Sequence, residues 1–576
     1  MAVREKVSKL HPFDCIDTWK VPVSVYIDQI LHTDFIDGCS LDVEDDEQGN
    51  FVGLGISDGD SCWYWSKLEL AKDIRIPKFI AHNGISDIRK LQKWGFAVDE
   101  SWLIHDTQLF GHIIDSSLRT YGLKDMVKRE LNVEYPSYES ICGKKTSKGH
   151  KTLKEFPVEA VAQYNACDCY YTYKLYEKQV KQLRVEGNTT KHYAEENYFK
   201  TLEQPVSAVF SAMQEKGIRL DLPYLRRLEA ALSAKRAEIE KSIKNELGDI
   251  NLNSPKQLLE ALHAKEIYPE LKGKPSTDKR ALERVRVAGV VDALLRYSEL
   301  ETLLSSFVKP YLERQTEVVH PQYLQTGTRT GRPSCSNPNL LQIPRKTENG
   351  KLVRRMFIPR DGSLFGELDY GQIEPRILAH LSGDAGMCGM FAGGVDFHTF
   401  TSKKLGITRD SAKVLNLSVG YRATFKSVSQ QLKCSDEEAQ KQIDAWWAAF
   451  PHLWAWQKQL IWQTKRDGYF TTLMGRRIKV EGLNEYNKWK REYAERQLVN
   501  NVAQSSATEV MKMAMIVVHK AGINVLVQVY DSLLIEEKAE ELPAKLALTK
   551  QLMENAVKLS VPLTVDTKTG NNWSFV

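Results

Sequence analysis

No run of 18 apolar residues occurs in this chain of 576 residues, so no membrane-crossing helix is expected. The first residues, MAVREKVSKLHPF, lack the long apolar core of a secretory signal. Cysteine is sparse. Nine residues, odd in number and scattered, fit a reducing compartment such as the cytoplasm better than a disulfide framework. Cys167 and Cys169 form a lone C-x-C pair with no second pair nearby, so no zinc site is expected there. Internal repeats and low-complexity tracts are absent, and neither sign of charge dominates: 79 basic and 74 acidic residues give a formal charge of +5. A nucleic-acid-binding chain with that balance must segregate its charges, with basic faces apart from acidic pockets. What is abundant is apolar content, 42% over a length that suggests about three or four domains.

From residue 38 to 180 the pattern is mixed. CSLDVED and FVGLGISDG read as a hairpin, followed by alternating strands and helices. A basic insert, GKKTSKGHK at 143–151, reads as a mobile surface loop. From 196 to 315 the reading is helical. Over 221–248, Asp221 caps a helix, Pro223 falls in its first turn and Gly248 stops it, while Leu225, Leu228, Leu232, Ile239 and Ile243 form one apolar stripe. A Gly/Pro/Asn-rich loop region spans 318–345. Strands return at 352–370 and 468–480, and the segment 374–466, rich in Trp and Ala, reads as helical.

INVLVQVYDSLLIEE (523–537) places Tyr530, Asp531 and Ser532 between apolar runs that read as buried strands. A carboxylate there is ordinarily a solvated turn residue or a cap, and occasionally a metal ligand. Asp369, in LFGELDYGQIEPRILAHLSGD (364–384), has a similar setting at the end of an apolar strand before a helix. Two carboxylates about 4 Å apart repel by roughly 4 kcal/mol at an effective dielectric of 20. Protonation or intervening divalent cations remove that cost, and two such cations can clamp the attacking and leaving oxygens of a phosphoryl transfer. Taken alone, the two acids fit a structural role better. Between them, RDSAKVLNLSVGY (409–421) places Arg409, Lys413, Leu417 and Tyr421 at i, i+4, i+8 and i+12, on one helix face. Two cations, an apolar residue and an aromatic suit a triphosphate and a base. In isolation the same face reads as a solvated cationic edge beside a buried tyrosine.

Together these segments resemble family A DNA polymerases, the DNA polymerase I type. DYGQIEPRILAHLSGD is similar to their motif A, R-x3-K-x3-L-x3-Y to motif B, and QVYDSLLIE to motif C. TRTGRPSCSNPNLLQIP (328–344), DFHTFTS (396–402), ERQLVNNVAQSSATEVMK (495–512) and the final GNNWSF follow in the family's order. The resemblance spans 200–576. It implies that Asp369 and Asp531 hold two Mg²⁺ ions for nucleotidyl transfer. It implies nucleotide contacts from Gln372, Glu374, His398, Arg409, Lys413, Leu417 and Tyr421, with Glu374 blocking a ribose 2′-hydroxyl. It implies primer-template contacts from Arg332, Asn339, Lys346, Arg496, Asn500, Gln504 and Tyr530.

In the N-terminal part, Asp42 and Glu44 lie at i and i+2 of a strand, hence on one face, and Tyr164 and Asp168 lie at i and i+4 of a predicted helix. IAHNGISDIRKL supplies Asp87. Each acid alone reads as a surface residue. The ordered set D-x-E…D…Y-x3-D resembles the tyrosine subtype of DEDD proofreading exonucleases over 30–190, with Ser86 where that family has Phe. The resemblance implies hydrolysis with two further Mg²⁺ ions. Asp42, Glu44 and Asp168 would ligate metal directly, Asp87 largely through water, and Tyr164 would orient the attacking water.

The implied architecture is α/β and α+β: a ribonuclease H-like exonuclease domain (1–195), thumb (196–320), first part of the palm (321–388), fingers (389–470) and second part of the palm (471–576). No 5′ nuclease is expected ahead of residue 30, and no thioredoxin-type clamp insertion in 250–300. The compact layout resembles a phage replicative enzyme. It is expected to be a cytoplasmic monomer acting on primer-template DNA and dNTPs, without membrane contact. Departures from the family are Tyr530 for His, Ser532 for Glu, Leu341 for Gln, Leu417 at the aromatic position, Ser418 for Gly and Lys346 for Arg. A single-subunit RNA polymerase or primer-synthesising enzyme shares this palm chemistry, but Glu374 and the exonuclease set argue against it.

Overall fold

The computed structural model describes residues 21, 23–29, 35–143, 151–185, 195–271, 273–285, 289–345 and 347–575. At its N-terminal end lies a six-stranded mixed sheet in the order Ser24–Ile27, Ser61–Trp65, Phe51–Ser57, Cys39–Asp45, Phe79–Ala81, Leu103–Asp106. The expected hairpin forms, with Asp42 opposite Gly55 and Glu44 opposite Gly53. The helix Val158–Val185 packs across this sheet. Gly55 permits the close approach: a Cβ there would lie 1.7 Å from Asn165 Oδ1. Of the 143–151 insert, residues 144–150 lie outside the described set.

The helix Leu222–Leu247 begins and ends as its sequence dictates. Asp221 accepts a hydrogen bond from Tyr224 N at 2.8 Å, and Gly248, at φ 89°, closes the other end. An aspartate cap of this kind contributes about 1 kcal/mol. Leu225, Leu228, Leu232 and Ile243 are buried along it. The region is not helical throughout, because Ile218–Leu220 pairs with Val318–Val319 and with Phe357–Ile358. The strand expected from residue 352 starts late: Glu348–Arg354 is a helix, capped by Thr347 Oγ1, which accepts from Gly350 N at 3.0 Å. That cap closes a first turn ahead of residue 352, and the helix it starts runs on into the first residues of the expected strand.

A four-stranded antiparallel sheet follows in the order Val525–Val529, Ser532–Lys538, Ser363–Tyr370, Val565–Gly570. Helices from Ile373–Ser382 to Pro451–Asp467 follow its third strand in the chain and form their own apolar core around Trp446 and Phe450. Another core is continuous from the N-terminal sheet (Leu41, Ile56, Phe79) through Phe199, Val206 and Phe210 to the Lys488–Lys520 helix and the four-stranded sheet (Met511, Leu368, Leu533). The two sheets are thus fixed to each other by shared burial. Among the described residues no helix is long and apolar enough to cross a membrane.

Charge is buried at this junction. Lys512 Nζ donates to Glu203 Oε1 at 2.6 Å and Oε2 at 2.8 Å, and both side chains are almost fully buried. Burial pushes the Lys512 ammonium below its usual pKa. It would push Glu203 up, but Lys512 and Arg476 outweigh it and hold that carboxyl low. Breaking such a pair strands a charge in a poorly solvated site. Lys512→Met is expected to cost about 3–5 kcal/mol, seen as a lower urea midpoint with an unchanged slope. An unchanged midpoint would show that Glu203 finds another partner or a proton at no cost.

Candidate functional site

Asp369 is the penultimate residue of Ser363–Tyr370, opposite Ser532 on one side and Asp566 on the other. Asp531 sits in the two-residue turn that joins Val525–Val529 to Ser532–Lys538, with Tyr530 in the left-handed region at φ 55°. Tyr370 N donates to Asp531 O at 3.0 Å, which ties the turn to the end of the neighbouring strand. The two carboxylates therefore come from one rigid sheet. Burial raises the Asp531 pKa to about 6; Arg332 lowers it, and Glu374 and Asp369 add to the rise. Burial also raises that of Asp369, against Arg345. Such groups gain from a bound cation.

Above the acids a polar cluster closes in. Arg332 Nη2 donates to Glu374 Oε1 at 2.8 Å and lies 3.7 Å from Asp531 Oδ1. Tyr421 OH donates to Glu374 Oε2 at 2.7 Å. The α-helix carrying Arg409, Lys413 and Leu417 ends at Ser418, and a tight 3-10 turn, Val419–Tyr421, brings the tyrosine to Glu374. The single α-helical face read from the sequence thus stops one turn short of Tyr421. Leu417, Arg409 and Lys413 are exposed. Arg409 Nη2 and Gln372 Nε2 both donate to Asp396, at 3.1 Å each. His398 Nδ1 lies 3.1 Å from Asn416 Nδ2. Burial first, then Arg409 and Lys413, push the His398 pKa down against Asp396.

Of the residues expected to touch DNA, Tyr530 is exposed, with the Arg332 guanidinium 5.8 Å from its ring centre. Gln504 Nε2 donates to Asn500 Oδ1 at 3.1 Å one turn away on the Lys488–Lys520 helix. Arg496, on the same helix, lines an aromatic cleft with Trp447, Trp454 and Trp489. Asn339 is engaged locally, accepting from Leu341 N at 3.0 Å. Lys346 lies outside the described residues.

The second centre lies on the N-terminal sheet. Ligand atoms of Asp42, Glu44 and Asp168 lie within 4.8 Å of one another, the one such group among the described residues. Asn165 Nδ2 donates to Asp42 Oδ2 at 2.7 Å. Burial, then the Asp168 charge, raise the Asp42 pKa to about 7, and burial raises that of Glu44. Asp87 is buried but is not a member of the close cluster; its Oδ1 accepts from Val43 N at 3.3 Å. Tyr164 is buried one helical turn from Asp168. Three carboxylates without thiol or imidazole are hard oxygen donors, which suit Mg²⁺.

Four residues that hold the expected site residues were not themselves singled out from the sequence. Arg345 Nη1 donates to Asp369 Oδ2 at 3.2 Å and its Nη2 to Glu367 Oε2 at 3.1 Å. Asp396 joins Gln372 to Arg409. Lys124 and Tyr135 both reach Asp168. Arg345 and Asp396 sit in or beside blocks already singled out. Lys124 and Tyr135 lie in no recognised block and carry no periodic signal.

The sequence model of DNA polymerase family A matches residues 222–575. The chain belongs to DNA polymerase family A. A 3′-5′ exonuclease model matches residues 38–184, so the order is exonuclease then polymerase family segment, as expected. The chain is similar to DNA polymerase I of Borreliella burgdorferi, 30% identical over 601 residues, covering 97% of this chain and 64% of the relative. It is 37% identical over 398 residues to the thermostable DNA polymerase I of Thermus aquaticus, covering 65% of this chain and 48% of the relative. The chain thus spans about half the length of most of the curated relatives it matches. A solved structure, the POL domain of Pol1 from M. smegmatis in complex with DNA primer-template and dNTP, superposes with a TM-score of 0.79 at 26% identity. That match covers 93% of this chain and 96% of that one, and with the family matches it bears out the mixed α/β architecture of an exonuclease segment followed by a family A polymerase.

Proposed function

We propose that this family A chain extends a primer 3′ end on a DNA template with dNTPs and removes mispaired ends with its 3′-5′ exonuclease. The observation that carries the reading is the pair Asp369 and Asp531, presented by one sheet and its hairpin turn and linked through Arg332, Glu374 and Tyr421 to the end of the helix that exposes Arg409 and Lys413. Residues 1–195 form the exonuclease, 196–320 the thumb, 321–388 and 471–576 the palm, and 389–470 the fingers. Mg²⁺, when bound, supplies Lewis acidity that lowers the pKa of the attacking hydroxyl or water and offsets phosphate charge. Asp369 and Asp531 would hold two ions in the palm. Asp42, Glu44 and Asp168 would hold two in the exonuclease centre, with Asp87 assisting.

The chain's own groups do the rest. Arg409 and Lys413 neutralise charge on the triphosphate, with His398 beside them. Gln372, held by Asp396, borders the same space. Glu374, fixed by Arg332 and Tyr421, walls off a ribose 2′-hydroxyl. Arg332, Asn339, Arg496, Asn500, Gln504 and Tyr530 contact the primer-template, several at its minor groove, where shared acceptors allow geometry to be checked with little sequence preference. Lys346 is assigned there by resemblance alone. Tyr164 orients the water that attacks the terminal phosphodiester. We place the enzyme in the cytoplasm as a monomer and propose phage DNA replication as its setting.

Primer extension with four dNTPs tests the reading: products lengthen with Mg²⁺ and not without it. No extension with Mg²⁺ would overturn it. Leu417 adds a sharper expectation. It lies exposed on the helix face of Arg409 and Lys413, and leucine offers no donor to replace a missing 3′-hydroxyl. Leu417→Tyr supplies one, and a hydrogen bond to a charged phosphate contributes about 1.5–3 kcal/mol. Dideoxynucleotide incorporation should therefore rise roughly tenfold to a hundredfold in an exonuclease-deficient background. Equal use of both nucleotides by the wild-type enzyme would show that another residue governs sugar recognition.

A further inference from the structure

Asp168 is the most enclosed of the three clustered acids, and both its oxygens are already engaged. Lys124, in the first turn of Leu123–Leu131, donates from Nζ to Oδ1 and, at 2.6 Å, to Oδ2. The same ammonium reaches Tyr164 OH at 3.1 Å. Tyr135 OH donates to Asp168 Oδ1 at 2.7 Å. The rings of Tyr135 and Tyr164 flank the ammonium, their centres 4.8 and 4.7 Å from Nζ. Asp42 differs, since it accepts from the neutral amide of Asn165 and shares a side-chain hydrogen bond with Glu44. In the palm, the guanidinium contacts are longer: 3.2 Å from Arg345 to Asp369 and 3.7 Å from Arg332 to Asp531.

We propose that Lys124 is a built-in counter-ion of the exonuclease centre, which competes with divalent metal for Asp168 and makes proofreading demand more metal than it otherwise would. The inference rests on the reading of Asp42, Glu44 and Asp168 as metal-binding. An ion held by Asp168 needs an oxygen that Lys124 now occupies, and its charge repels the ammonium at contact range. The lysine can give way. Its side chain is 25% exposed against 8% for Asp168, and its stem is unbranched and flexible. Lys124 is thus a positioning residue: it keeps the acid in place without metal and sets the metal concentration at which the centre fills. A lysine that only pinned one helix to the other would leave metal affinity unchanged when removed.

Mn²⁺ binding, followed by electron paramagnetic resonance on the full-length chain, separates these roles. The palm acids are first removed as Asp369→Ala/Asp531→Ala, so the remaining high-affinity signal belongs to the exonuclease centre. Lys124→Met should lower the Mn²⁺ dissociation constant about tenfold, within the range typical of coupling between two ligands. Lys124→Gln, a polar alternative if the methionine variant does not fold, should do the same. In the same background, Asp42→Ala/Glu44→Ala should lose the site. If it does, while both lysine variants bind Mn²⁺ as the parent or more weakly, the counter-ion role is overturned and the metal reading stands. If Asp42→Ala/Glu44→Ala keeps the ion, the metal reading itself fails and the inference falls with it.

Discussion

Asp531→Ala should abolish primer extension, by at least about a thousandfold, while degradation of a 3′ end persists. Asp42→Ala with Glu44→Ala should do the reverse. The argument is geometric. Asp531 sits in a two-residue turn tied to Tyr370 N at 3.0 Å, so its carboxylate is placed by the sheet rather than by a mobile loop. Its neighbour Asp369 is the penultimate residue of the adjoining strand. Removing one of the pair leaves the other acid beside Arg345 or Arg332 with half of a cation site, and the reacting oxygens lose their alignment. Asp42 and Glu44 lie on a different sheet, across the core that joins the two parts. Separate loss is therefore expected rather than general collapse. The measurement is single-turnover extension and degradation on matched primer-templates, with circular dichroism as a folding control. Extension by Asp531→Ala at near the wild-type rate would remove Asp531 from the palm assignment.

The second large effect concerns the sugar. Glu374→Ala should raise the ribonucleotide to deoxyribonucleotide incorporation ratio by at least about a hundredfold, the upper range for a steric difference in a shaped pocket. Glu374 is suited to exclusion because it does not move freely: one oxygen accepts from Arg332 at 2.8 Å and the other from Tyr421 at 2.7 Å. A carboxylate pinned from both sides is a rigid wall, whereas a free one could rotate away. Tyr421→Phe deletes one of these anchors and keeps the ring, so it should relax discrimination less, by roughly tenfold. An active Glu374→Ala enzyme with an unchanged ratio would move the gate elsewhere.

These expectations also show where local pattern sufficed. The Asp221 cap and the Gly248 stop fixed the Leu222–Leu247 helix because capping is a contact within one turn. The i, i+2 spacing of Asp42 and Glu44 and the i, i+4 spacing of Tyr164 and Asp168 became a strand and a helix as read, since period alone sets which side chains share a face. Pattern failed where two local preferences competed. Thr347 capped a helix over 348–354 that runs into the strand read from residue 352, and the Arg409 helix tightened before Tyr421.

By itself the sequence determined the order of the blocks, the hairpin that places Asp531 in its turn, and the family to which the chain belongs. Only the tertiary structure decided that Asp42 and Glu44 meet Asp168, that Arg332 and Tyr421 hold Glu374, and that Lys124 sits on the acid a metal would use. It also decided that Lys512 and Glu203 are buried as a pair in the core shared by the two sheets. The reason lies in the range of the forces. Capping and periodicity act within a turn or a strand and leave a mark in neighbouring residues. Ion pairs, hydrogen bonds and burial join residues tens to hundreds of positions apart, and nothing in the local sequence of either partner announces the other.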